Sequence, residues 1–156
     1  MSSNIAAISH IAVGVTDMET SLGFYRDVLG MHVSLDTEEE LPGFGGSEAQ
    51  KRRAVYLRWR EGPHETFVVL DQQLSREPFG EPPTIFQVGT HHWGFWVEDV
   101  DGVVDRAKAA GVPIVVQPAN ADTAAYGEPA GGTCRSAFLR DPDGNVVQLD
   151  QRGGRV

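Results

Sequence analysis

The sequence predicts an α+β fold made of two βαβββ modules, whose strands form a curved mixed sheet around a cleft. Three observations carry the prediction. Ser-His10-Ile-Ala-Val-Gly-Val-Thr-Asp17 and His-His92-Trp-Gly-Phe-Trp-Val-Glu-Asp99 share one layout 82 residues apart, a histidine leading a short apolar segment and an aspartate seven residues later. Arg53-Ala-Val-Tyr-Leu-Arg58 and Arg135-Ser-Ala-Phe-Leu-Arg140 repeat at the same offset. The 156 residues, 40% of them hydrophobic, suit a single domain in which neither copy is stable alone.

In the first module, residues 8–15 alternate with β-branched side chains and read as a strand. Thr16 and Glu19 have the spacing of a capping box, and Leu22, Tyr25, Val28 and Leu29 share one helical face before Gly30 stops the helix. Residues 31–35 and 53–58 form the next strands, and residues 66–72 the last. In the second module the strand is His92–Val97, and Val100, Val103, Val104 and Ala107 line a helix closed by Gly111. Strands follow at 112–117, 135–140 and 145–151, the last two joined by Asp141-Pro-Asp-Gly144, a strong turn signal. The expected layout is a single domain over 1–156, with one module at about 5–73, a proline-bearing linker at about 74–89 and the other module at about 90–151. Residues 38–51 and 117–132 read as long loops of the kind that form lids or binding loops.

The charge of −9, from 13 basic and 22 acidic residues, argues against a nucleic-acid partner, which needs a basic surface. No run of about 18 apolar residues is present, so no spanning helix is expected, and the N-terminus lacks the layout of a signal peptide. The single cysteine, Cys134, fits a reducing cytoplasm and reads as a packed thiol. Arg52, Arg53, Arg58 and Arg60, with Arg135 and Arg140, offer cations for an anionic ligand, although strand alternation sends half of them to the opposite side.

His10 and His92 at matching repeat positions read either as hydrogen-bonded core residues or as the start of a metal site. Ala12 and Gly14 share the face of His10, and Gly94 and Trp96 that of His92, which leaves room for an ion or ligand and favours the site. On the last strand Gln148 shares a face with Val146 and Asp150. His91 is expected to point to the opposite face from His92. Tyr126, in the second long loop, is a candidate proton donor or a loop anchor.

Phe24-Tyr-Arg-Asp-Val-Leu-Gly-Met31, Asp141-Pro-Asp-Gly-Asn145 and the paired histidines resemble the vicinal oxygen chelate superfamily over about residues 5–151. That superfamily includes glyoxalase I, extradiol dioxygenases and the metal-free bleomycin-resistance proteins. The resemblance implies a cup-shaped sheet, a homodimer and a divalent ion (iron, nickel, zinc or manganese) held by His10, His92 and Gln148. A glutamate is usual at the third position, so the amide is expected to bind more loosely. The fourth position falls on Val69, which cannot bind metal. Phe138 stands where catalytic dioxygenases of the group place a tyrosine. The resemblance thus implies a metal-dependent enzyme, lyase- or isomerase-like or dioxygenase-like, acting on a small oxygen-rich substrate that is anionic or aromatic. Arg53, Tyr56, Trp96 and Arg135 are its candidate contacts. The alternative is a metal-free small-molecule or antibiotic-binding protein, with the aromatic residues as a stacking surface.

Overall fold

The computed structural model describes residues 4–43 and 48–153. It divides into two compact units, residues 1–80 and 81–156. Each unit is a βαβββ module with one four-stranded mixed sheet, in the α+β class expected.

In the first unit, β1 (His10–Val15) leads into a helix capped by Asp17, whose carboxylate accepts the Thr20 amide at 2.8 Å. The capping residue is therefore Asp17 rather than Thr16, because its oxygen reaches the amide three residues on. The helix, α1 (Met18–Leu22), widens into a π-helical stretch, Gly23–Val28, and Gly30 ends it at φ 81°. Strands β2 (His32–Leu41), β3 (Gln50–Arg58) and β4 (Phe67–Gln73) follow, in the spatial order β1-β4-β3-β2. β1 lies parallel to β4, and the other neighbours are antiparallel.

The second unit repeats this plan. β5 (Trp93–Trp96) leads to α2 (Val100–Ala109), which Asp99 caps through the Gly102 amide at 3.0 Å and Gly111 follows at φ 74°. β6 (Ile114–Asp122), a short 3-10 helix (Thr123–Tyr126), β7 (Thr133–Arg140) and β8 (Val146–Arg152) complete it, in the order β5-β8-β7-β6. The Asp141–Asn145 turn is locked by the Asp141 carboxylate, which accepts the Asn145 amide at 2.8 Å and the Asn145 side chain at 2.9 Å.

Both long loops are shorter than the sequence implies. β2 runs on to Leu41 and β3 begins at Gln50, because Glu38, Glu39 and Glu40 face Arg53, Arg52 and Lys51 across the ladder. Opposite charges in register stabilise a hairpin that the polar composition disguises. Residues 44–47 of that expected loop lie outside the described residues. In the second unit, β6 continues through residues 118–122, with register shifts that absorb Pro118.

The two helices cover equivalent sheet faces. Val55, Leu57, Val68 and Leu70 are fully buried on one side, and Ala137, Leu139, Val147 and Leu149 are their counterparts on the other. Val100, Val103, Val104 and Ala107 form the buried stripe of α2, as expected. Because Asp99 satisfies an amide that the first turn cannot, Asp99→Ala is expected to cost about 1 kcal/mol in urea denaturation. A loss below about 0.3 kcal/mol would contradict this role for the cap.

Candidate active site

Strand alternation sorts each sheet into a helix-bearing face and an opposite face. In β1, Val13 and Val15 are buried while His10, Ala12 and Gly14 are exposed. The ladder pairs these three with Phe67, Val69 and Asp71 of β4, and β3 adds Tyr56 and Ala54 beside Val69 and Asp71. His10 stacks on Phe67 at 5.0 Å between ring centroids, nearly parallel. Tyr56 meets the same ring at 5.5 Å, and the Arg58 guanidinium lies 4.7 Å from its centroid. The His10 Nδ1 is 3.0 Å from the Ser9 hydroxyl. Val69, 5% exposed, offers no donor atom at its position. Asp71 pairs with Arg52 at 2.6 Å, and burial pushes its carboxyl up against the pull of that arginine.

In the second unit, β5 begins at Trp93, so His92 sits one residue before the strand. Its ring meets Phe138 edge-on at 5.9 Å, and Phe138 lies next to Gln148 in the β7–β8 ladder. His91 does not point away as alternation requires. The His91 and His92 rings lie 4.5 Å apart with their Nδ1 atoms at 2.7 Å, because neither residue belongs to the pleated strand. One Nδ1 carries the proton and the other accepts it, so the two rings fix each other's tautomer.

Gln148 pairs with Gly94 in the parallel β5–β8 ladder, and Asp150 pairs with Trp96. The Gln148 Nε2 donates to Asp150 Oδ1 at 2.8 Å, and the Tyr126 hydroxyl donates to the same oxygen at 2.7 Å. Asp150 is only 7% exposed. Burial and hydrogen bonds to Cys134 and Asp150 push the Tyr126 hydroxyl above its usual range, so it keeps its proton. A Cβ at position 94 would lie 3.2 Å from Asp150 Oδ2, so glycine there leaves the carboxylate edge uncovered.

The repeat makes the chemistry of Asp150 legible. Its counterpart in the first unit, Asp71, is neutralised by Arg52, while Cys134 occupies the corresponding position in the second unit. Neutral donors from Tyr126 and Gln148 take the place of the missing cation.

Of the residues singled out by sequence, Tyr56 shares the face of His10, and Trp96, Tyr126 and Gln148 gather around Asp150. Arg53 and Arg135 do not join either group. Arg53 binds Asp36 at 2.7 Å and Glu19 of α1 at 2.8 Å, and Arg135 holds Asp101 of α2 at 2.7 Å through two nitrogens. Both lie on the helix-bearing face, and their carboxylate partners hold their guanidinium groups more firmly charged than usual. They tie helix to sheet. A residue that the sequence reading passed over is Arg152, which continues the alternation of Gln148 and Asp150 and lays its guanidinium 4.4 Å from the Trp96 ring centroid.

Among the described residues, no group of three His, Cys, Asp or Glu side chains is arranged to hold a metal ion. The expected ligand set has two such residues and an amide.

The family model described as the Glyoxalase/Bleomycin resistance protein/Dioxygenase superfamily matches residues 7–149. A probable chloroplastic lactoylglutathione lyase of Arabidopsis thaliana is 28% identical over 144 residues, 92% of this chain but 35% of that protein. The chain thus spans about a third of the plant relative's length. A virulence protein of Salmonella typhimurium is also 28% identical, over 94% of this chain and 85% of its own length. The crystal structure of a glyoxalase family protein from Bacillus cereus superposes with a TM-score of 0.74 at 15% identity, covering 97% of each chain.

Proposed function

Because the chain belongs to the glyoxalase/bleomycin resistance protein/dioxygenase superfamily, we propose that it is a divalent-metal-dependent enzyme acting on a small oxygen-rich substrate, with His10, His92 and Gln148 as ligands. The lyase name of the plant relative supports a lyase or isomerase reaction. Phe138, lacking a hydroxyl, weighs against dioxygenase chemistry.

One observation carries this reading. Each of the three side chains has one polar atom engaged by a neighbour in its own unit and a second that can serve a ligand. His10 Nδ1 meets Ser9, His92 Nδ1 meets His91, and Gln148 Nε2 donates to Asp150. With Nδ1 of each ligand histidine protonated, Nε2 carries the lone pair, and the amide presents Oε1. Such outer partners orient metal ligands and raise their basicity. The donor set of two imidazoles and one oxygen fits a borderline divalent cation such as iron, nickel, zinc or manganese.

A bound cation supplies a Lewis acid for two neighbouring substrate oxygens. The chain's own residues do the rest. Asp150, two residues from Gln148, restores near the site the negative charge that an amide lacks. Tyr126 keeps its proton and donates it in a hydrogen bond to Asp150, so it positions that carboxylate. Val69 cannot act as base, so the proton acceptor is a group at another position.

Elemental analysis of protein purified without added metal tests the proposal. About one divalent ion per chain, removable by a chelator, is expected for a single site of this kind. The second reading, a metal-free binding protein, is favoured by the His10–Phe67–Tyr56 stack and the Trp96–Tyr126 pair, which give aromatic surface on both units. A protein that holds no metal and ignores added iron, nickel, zinc and manganese would overturn the metal-dependent reading.

A further inference from the structure

A cavity of about 510 Å³ opens on the second unit, bounded by Trp96, Tyr126, Cys134 and Arg152 and by bare backbone at Gly131, Gly132 and Gly153. Positions 132 and 153 admit no side chain, since a Cβ would come within 2.6 Å of Thr123 and of the Thr133 carbonyl. The Trp96 and Tyr126 rings stand 5.8 Å apart at 34°. Arg152 lies over the indole at 4.4 Å and forms no ion pair among the described residues. Arg52, Arg53 and Arg135, by contrast, each grip a carboxylate. The Arg152 guanidinium is thus left without a carboxylate partner among the described residues at the cavity, in a chain with a large acidic excess.

We propose that this cavity binds a planar aromatic or conjugated carboxylate, its ring against Trp96 and Tyr126 and its anionic end on Arg152. This deepens the function proposed above and rests on its assignment of this face to ligand binding. An indole and a phenol offer π surface to a flat ring, and a guanidinium is the side chain best matched to a carboxylate. The Asp150 carboxylate nearby is already engaged by Tyr126 and Gln148. Glu128 also borders the cavity without pairing with Arg152, and its charge turns the anionic end of a ligand toward the arginine.

Calorimetric titration of the full chain with 1-naphthoate and 1-naphthamide, in chelator, tests this without any metal. Saturable naphthoate binding is expected, about tenfold weaker in Arg152→Gln, restored in part by Arg152→Lys and strengthened by Glu128→Gln. Naphthamide should bind more weakly and be indifferent to Arg152→Gln. Equal naphthoate affinity in the wild type and Arg152→Gln would overturn the proposal. Naphthoate binding that appears only with added metal and vanishes in His10→Ala would overturn it too, while leaving the metal-dependent enzyme standing. Arg152-dependent binding by a protein that takes up no metal would support the cavity and remove the metal.

Discussion

His10→Ala and His92→Ala are each expected to weaken divalent-metal binding by more than about 100-fold, since even outer-shell partners typically account for 10–100-fold. A ligand lost from a set of three leaves two protein donors, one of them a neutral amide, and water must fill the remaining positions. The fold should survive both changes. His10 is exposed on the face away from the helix, and its removal forfeits a stacking contact with Phe67 and one hydrogen bond to Ser9. Stability should therefore fall by about 1 kcal/mol or less, within the ordinary range of surface substitutions and exposed ring contacts. Calorimetric titration of the chelated variants measures the affinity, and thermal unfolding checks the fold. Wild-type affinity in both variants would mean that the ion, if any, is held elsewhere.

Gln148→Glu is expected to act in opposite directions on the two states of the protein. In the absence of metal it replaces the N–H that donates to Asp150 at 2.8 Å with a second carboxylate oxygen. Asp150 is 7% exposed and also accepts from Tyr126, so solvent screens its side of the contact little, although Gln148 itself is half-buried. Losing a charge-assisted bond and gaining a like-charge contact should cost about 2–4 kcal/mol. A divalent cation relieves that repulsion and gains a charged ligand, so metal should raise the melting temperature more in the variant than in the wild type. Unchanged stability without metal would contradict the Gln148–Asp150 contact. A metal-induced shift no larger than that of the wild type would show that residue 148 is not a ligand.

The repeat was the legible part of this fold. The 82-residue offset that pairs His10 with His92 also pairs the helix caps Asp17 and Asp99, and it pairs Arg53 and Glu19 with Arg135 and Asp101. Each of those features is local or lies on one strand, where spacing and residue type suffice. Features that depend on pairing between strands were harder to read. Glu38–Glu40 reads as a solvated run until its partners Arg53, Arg52 and Lys51 are in register. Arg53 and Tyr56, three residues apart, have to lie on opposite faces of β3, but which face carries the histidines depends on how β1 and β4 pair. His91 departs from alternation because it lies two residues before β5. Arg152 was reachable by counting on from Gln148, but its value comes from Trp96, which the β5–β8 ladder brings beside it.

The candidate site was legible in outline because the family resemblance points to positions, whereas the hydrogen bonds that tune them come from elsewhere in the chain. Tyr126 comes from a 3-10 helix that composition concealed as loop, and Asp150 acquires its meaning from the substitution of Cys134 for the arginine of the first unit. In the proposed site the amide at 148 would supply an oxygen, and the buried carboxylate at 150 holds that amide through its Nε2.

X-ray absorption at the metal edge of the loaded protein tests the proposed ligand set most directly. The expected result is a first shell of nitrogen and oxygen alone at roughly 2.0–2.2 Å, with outer-shell scattering from two imidazoles that drops to one in His10→Ala and in His92→Ala. A sulfur shell near about 2.3 Å, which would implicate Cys134, or a shell without imidazole scattering would contradict it.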